Sequence, residues 1–227
     1  MIADDGTALK FDLHGAQRFC GGAVRDLPYL RAALRDLPSG RVGIRLKGLK
    51  DLHPFLMPAG SIGAIAVRLI GPMSRPVRAI LFDKRRTTNW SLTWHQDRTI
   101  CVEHKIDVEG FGPWTRKSGM QHVAPPFEIL ARMVTLRVHL DDVPETNAPL
   151  LIAPGSHREG RVPEHAVLEV VRRRGVATCL ATAGDVWAYA TPILHASDAA
   201  AMPAKRRVLQ IDFAAEELPG GLKWLGV

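Results

Sequence analysis

In Trp94-His95-Gln96-Asp97 a histidine and a carboxylate stand two positions apart. That spacing suits a shared metal ion, with a borderline nitrogen and a hard anionic oxygen as donors. On a strand, residues i and i+2 share a face. His95 and Asp97 then project together, with Ser91 and Thr93 beside them, while Trp90, Leu92 and Trp94 project the other way. A carboxylate pointing unpaired into a barrel is costly, and a metal ion removes that cost. The pair alone is half a site, and a solvated surface strand carries the same tripeptide.

Two histidines and one carboxylate on one octahedral face leave three positions open, an arrangement suited to non-heme Fe(II) oxygenase chemistry. The chain has 9 histidines. His195 has the best context: it follows the turn Ala183-Gly184-Asp185 and the apolar run Val186–Ala190, and two arginines follow it. Flanked by Ile193 and Leu194, it also reads as a core histidine. An arginine beyond the second histidine has a use, because a guanidinium grips a carboxylate through two parallel hydrogen bonds where an ammonium offers a point charge. Alternation puts Arg206, Val208, Gln210 and Asp212 on one face, and Arg207, Leu209, Ile211 and Phe213 on the other. The second face suits packing, so Arg206 is preferred to Arg207 as the anion clamp.

These residues need strands to hold them. Short apolar runs broken by turn residues predict strands at 77–83, 90–97, 100–106, 132–140, 149–153, 176–181, 186–190, 193–196 and 207–214. Helices are expected after Pro28, ending before Pro38-Ser39-Gly40, and near 163–173; residues 60–70 fit a short buried helix or strand. Many short strands without alternating βαβ units point to a mainly β sandwich or barrel with flanking helices. Residues 98–131 suggest no role, apart from a Gly-rich loop around Trp114.

Composition narrows the function. Of 227 residues, 46% are hydrophobic and 23% charged, an ordinary globular balance. No apolar run reaches the about 18 residues of a membrane span, and the N-terminus lacks a secretory pattern. Cys20, Cys101 and Cys179 are scattered and form no CxxC, which suits a reducing cytoplasm. The net charge of +7 raises a nucleic-acid reading. The basic triplets Lys84-Arg85-Arg86, Arg172-Arg173-Arg174 and Lys205-Arg206-Arg207 are dispersed, and aromatics make up only 6%. Solvated surface, or attraction of anionic small molecules, fits better.

Taken in order, WHQD, the turns Ala153-Pro154-Gly155-Ser156-His157 and Ala183-Gly184-Asp185, His195, and Arg206 eleven residues on resemble the phytanoyl-CoA dioxygenase-like family over residues 77–214. The resemblance implies a double-stranded β-helix (jelly-roll, cupin-like) core. It implies Fe(II), 2-oxoglutarate and O2 as cofactors, with succinate and CO2 released. Its iron ligands would be His95, Asp97 and His195, and its 2-oxoglutarate anchor Arg206. Related halogenases carry a small residue in place of the carboxylate, whereas Asp97 is retained, so hydroxylation or another oxidation of a small molecule is the expected outcome. One oxygenase domain is expected over 1–227, with 1–75 as helical or irregular support, 76–214 as the core and 215–227 as a tail. Lys84 reads as a contact to the cosubstrate or an anionic substrate, or as a solvated strand end. Thr93 and Ser197 are placed to hydrogen-bond the cosubstrate. Trp114 and Arg137 are candidates for the pocket wall, Trp114 equally for simple packing. The rival readings are a cupin-like metal enzyme that does not use 2-oxoglutarate, and a basic nucleic-acid-binding or demethylase-like protein.

Overall fold

Alternation along residues 206–214 divides the largest sheet into two chemistries. Leu209, Ile211 and Phe213 face an apolar layer, while Arg206, Gln210 and Asp212 face the interior of a barrel. The structure, a computed structural model, describes residues 9–38 and 41–227. The turn expected at Ser39-Gly40 and the first eight residues lie outside them.

The strands are β1 (Ala16–Phe19), β2 (Ile44–Leu46), β3 (Arg75–Lys84), β4 (Leu92–His95), β5 (Ile100–Val102), β6 (Trp114–Lys117), β7 (Met120–Val123), β8 (Val134–His139), β9 (Leu150–Ile152), β10 (Ala177–Cys179), β11 (Val186–Ala190), β12 (His195–Ser197) and β13 (Arg206–Ala214). The helices are α1 (Phe11–His14), α2 (Leu27–Ala33), α3 (His53–Leu56), α4 (Ser61–Ile70), α5 (Phe127–Ala131) and α6 (Val167–Arg174). One sheet runs β1-β11-β8-β13-β3-β2, a second β10-β9-β12-β4, a third β5-β7-β6. The pairings in all three sheets are antiparallel. Strands β3, β8, β11 and β13 of the large sheet and β4, β9, β10 and β12 of the small one make a jelly roll, the chain crossing repeatedly between the two sheets. This is the mainly β, double-stranded β-helix fold with flanking helices.

The large sheet buries its apolar face under α2, α3 and α4. Leu30, Leu56, Ile62 and Ala66 pack there on Leu81, Leu136, Val138 and Leu209. Its other face carries Arg78, Ile80, Phe82, Arg137 and Gln210 toward the cavity. At 60–70 the helical alternative holds, since α4 presents Ile62, Ile65 and Ala66 as one buried stripe. Helix α2 begins at Leu27, with Pro28 in its first turn, where a missing N–H costs nothing.

Four strands had no counterpart in the sequence reading. β1 and β2 extend the large sheet at its edges from the N-terminal region expected to be helical or irregular. β6 and β7 form a hairpin around Ser118-Gly119, both at positive φ (50° and 78°). A two-residue turn of that kind matches the twist of paired strands. The C-terminal residues are not a loose tail: Leu218, Leu222 and Trp224 pack on Ile100, Val102 and Val123. Among the described residues no single helix is long and apolar enough to cross a membrane.

Candidate metal centre

His95 and His195 are direct cross-strand partners on β4 and β12, with ring centroids 4.3 Å apart. Asp97 lies just past the end of β4, so its approach depends on the loop as well as on alternation. Gln96 ties that loop down. Its Nε2 donates to the carbonyls of Gly160 (2.9 Å) and Pro192 (2.8 Å), and its Oε1 accepts from the Val162 N–H (2.9 Å). One donor atom each from His95, Asp97 and His195 lie within 4.8 Å of one another.

The donor set fits a divalent cation. Nδ1 of His95 lies 2.7 Å from the Thr93 carbonyl, and Nδ1 of His195 lies 3.0 Å from the Ile193 carbonyl. A carbonyl only accepts, so Nδ1 carries the proton in both rings and the Nε2 lone pairs are free to bind a metal. Burial, then the neighbouring His95, push the His195 imidazole down to about 4, which keeps it neutral as a ligand must be. Burial alone would raise Asp97, but Arg78, His195 and His95 together hold its carboxyl below the ordinary value.

Arg78 is the residue that sequence reasoning missed. Its Nη2 donates to Asp97 at 3.3 Å and its Nε to Asp212, which Thr135 also contacts at 3.0 Å. A lone arginine in the apolar run Val77–Phe82 was a usable signal, because a buried cation requires a partner. Arg78→Met would leave Asp212 buried and unpaired. The expected result is a loss of about 3–5 kcal/mol, hence a Tm lower by about 6–20 °C. Divalent-metal affinity should also fall about 10–100-fold. Calorimetric unfolding and metal titration check both; an unchanged metal affinity in the folded variant would rule out this role for Arg78.

The remaining expected residues divide. Arg206 is 3% exposed; its guanidinium donates to the Ala148 carbonyl, while Nε has no partner. Burial and the charge of Arg137 weaken its hold on its proton. Arg207 instead grips Asp141 through two contacts of 2.8 and 2.9 Å on the opposite face. Arg137 lines the cavity, donating to Gln210 (2.7 Å) with its own Nε unpartnered. Thr93 and Ser197 line it too, Ser197 donating to Ala148 at 3.3 Å. Lys84 lies buried beneath the wall, its ammonium on the Asp198 carbonyl (2.8 Å) and 4.9 Å from the Trp90 ring. Trp114 does not reach the cavity: β6 turns it into the cluster around Ile100 and Val123, so packing accounts for it. Residues 98–131, without a role in the sequence reading, supply Lys117 and His122 to the cavity wall.

The cavity holds about 930 Å³. The basic triplets seen in the sequence do not form a stripe. Lys84 and Arg206 point inward, Arg85 pairs with Asp83, Arg207 with Asp141, and Arg173 and Arg174 with Glu159.

The sequence model of the Phytanoyl-CoA dioxygenase (PhyH) family matches residues 47–208. No curated protein sequence matches the chain. Among solved structures, EctD from S. alaskensis in its apoform superposes with a TM-score of 0.65 at 17% identity, covering 99% of this chain and 81% of that one. AviO1 from Streptomyces viridochromogenes Tue57 gives 0.59 at 18% identity, covering 97% of each chain. HygX from Streptomyces hygroscopicus, solved with nickel and 2-oxoglutarate bound, gives 0.55 at 15% identity, covering 90% of this chain and 84% of that one. At these identities the likeness is one of fold.

Proposed function

Because the chain belongs to the phytanoyl-CoA dioxygenase family, a family of Fe(II)- and 2-oxoglutarate-dependent oxygenases, we propose that it hydroxylates a small molecule with release of succinate and CO2. The observation that carries this reading is the convergence of one donor atom each from His95, Asp97 and His195 within 4.8 Å, with Nδ1 of both rings turned to a backbone carbonyl. HygX and EctD, each solved with 2-oxoglutarate, support the choice of cosubstrate.

When bound, iron and 2-oxoglutarate supply the activation of O2 and the oxidising power. The chain's own groups do the rest. His95, Asp97 and His195 would hold Fe(II) on one face, leaving positions open. Arg78 aims the Asp97 carboxylate. Arg206, a buried cation whose Nε has no hydrogen-bond partner, would receive the far carboxylate of 2-oxoglutarate. Ser197, beside it on the Ala148 carbonyl, and Thr93 at the rim would line the cosubstrate. Ile80, Phe82 and Leu150 supply apolar wall, and water displaced there by the bound cosubstrate would strengthen each polar contact inside. A cupin-like enzyme without 2-oxoglutarate would have no use for an inward Arg206. The three cysteines are free, which supports a reducing compartment such as the cytoplasm.

The test is anaerobic addition of Fe(II) and then 2-oxoglutarate to metal-free protein. A visible charge-transfer band of the chelated 2-oxo acid is expected. Iron binding without a band would favour the cupin-like alternative, and no iron binding would end the metal reading.

Lys84 gives this site a pH dependence. Burial, then the charge of Arg206, push its ammonium down to about 8, with Asp198 opposing and Arg137 adding. The folded pKa lies below the unfolded one, so the folded protein sheds this proton first, and apo-protein stability rises with pH from about 8 toward the ordinary lysine value. Bound 2-oxoglutarate favours the charged form. Its affinity should therefore fall as pH rises through about 8, on the order of fivefold for about 1 kcal/mol. Calorimetric titrations across that range check it; Lys84→Met should flatten the profile, and a profile with the same slope in the variant refutes the assignment.

A further inference from the structure

The cationic side chains on the cavity wall fall into two groups. Arg137 and Arg206 lie deep, where their charges act on each other and on Lys84. Arg45 and Lys117 lie at the other end, where both act, with Arg78, on His122. Arg78 is already neutralised by Asp97 and Asp212. Arg98 donates to the Val162 carbonyl (2.7 Å) and stands 4.0 Å from exposed Glu164. Half-buried Arg45 and exposed Lys117 have no carboxylate partner among the described ion pairs, and both border one space.

The fold puts Arg45 there by register. It pairs with Ile80 across β2 and β3, so both face the cavity. Its Nε is buried without a hydrogen-bond partner. Native structures rarely leave such a donor unsatisfied, and a missing ligand is one explanation. Among the described residues no carboxylate forms an ion pair with Arg45 or Lys117, and the Asp97 carboxylate on the same wall is engaged by Arg78. Burial pushes the Cys101 thiol up to about 11, so it stays protonated. It donates to Nε2 of His122 at 3.0 Å, while Nδ1 of His122 faces the Met120 carbonyl at 3.1 Å. Burial lowers the His122 pKa, the Met120 carbonyl opposes it, and Arg45, Arg78 and Lys117 add to the lowering; an imidazole offers no negative charge in either form. Phe82, against Arg137, Trp90, against Lys84, and Leu92 add apolar surface to the same cavity wall. The volume is near the top of the range of about 300–1,000 Å³ for small-molecule sites, so the cosubstrate leaves room beside it.

We propose that the substrate is a small molecule with an apolar body and an anionic group, a carboxylate or a phosphate, and that Arg45 and Lys117 bind that anion at the end of the cavity away from Arg206. This rests on the oxygenase reading and adds the substrate's charge to it.

The test uses full-length protein saturated with Mn(II) and 2-oxoglutarate, so that Arg206 is occupied. Phenyl phosphate, benzoate and benzyl alcohol are titrated calorimetrically. At least one anion should bind about tenfold more tightly than the neutral alcohol, and the preferred anion identifies phosphate or carboxylate. Arg45→Gln and Lys117→Gln should each weaken that binding about tenfold, leave 2-oxoglutarate affinity within about twofold, and leave Tm nearly unchanged; Lys117→Arg should restore it. The proposal is overturned if neither anion binds, if benzyl alcohol binds as tightly, or if Arg45→Gln spares the anion. It is equally overturned if Arg45→Gln weakens 2-oxoglutarate to the same degree, since Arg45 then serves the cosubstrate. Failure of 2-oxoglutarate to bind wild-type protein is a separate result, which sinks the oxygenase reading beneath the proposal.

Discussion

Asp97→Ala is expected to abolish tight Fe(II) binding while leaving the apo-protein as stable as wild type. Loss of a partner that merely orients a ligand costs about 10–100-fold in metal affinity. Loss of the one anionic ligand should exceed that, above about 100-fold, because the two neutral imidazoles of His95 and His195 cannot offset the metal's charge. Stability is spared for a structural reason. Arg78 is shared between Asp97 and Asp212, and the Arg78–Asp212 contact survives the substitution. The repulsion between the two carboxylates also disappears, and that repulsion helps burial hold Asp212 above its ordinary value. Tm should stay within a few degrees of wild type, in contrast to Arg78→Met, which strands Asp212. Anaerobic calorimetric titration with Fe(II), beside a thermal melt of the apo-protein, reads both. Tight iron binding by the variant would remove Asp97 from the ligand set.

Arg206→Ala should remove 2-oxoglutarate affinity without removing iron. Truncating one partner of a buried, hydrogen-bonded charge pair costs about 2–5 kcal/mol, roughly 30- to 5,000-fold in Kd. Arg206→Lys should recover little, since an ammonium cannot reproduce a two-pronged grip. Arg207→Ala is the control. It breaks the contacts with Asp141 on the far face, so it should lower stability by on the order of 1–2 kcal/mol and leave the cosubstrate alone. The charge-transfer band titrated with 2-oxoglutarate separates the three variants. A larger loss for Arg207→Ala than for Arg206→Ala would reverse the assignment.

Much of this site is legible before folding. Trp94-His95-Gln96-Asp97 names two donor types, His195 and Arg206 follow at readable intervals, and alternation along β13 already separates Arg206 from Arg207. These readings work because they are local: strand period and donor chemistry depend only on near neighbours. The Ser118-Gly119 dipeptide was a local signal too, but the stretch around it reads as a loop and the hairpin emerges only in the structure. Strands β1 and β2 were not legible, because a strand of three or four residues at a sheet edge owes its conformation to the neighbour it pairs with. Trp114 shows the same dependence, since the hairpin's orientation turns it into a core rather than toward the cavity.

By itself, the sequence determined which atoms are offered: two imidazoles, a carboxylate, an inward guanidinium and a polar strand face. Only the tertiary structure decided which of them meet. The pairing of His95 with His195 spans strands far apart in the chain, and so does the sharing of Arg78 between Asp97 and Asp212. Arg45 and Lys117, from sheets with no sequence relation, share one end of the cavity. Such meetings follow from strand register, which the packing of the whole apolar face sets, and a slip of one residue would turn every one of these side chains to the other side of its sheet.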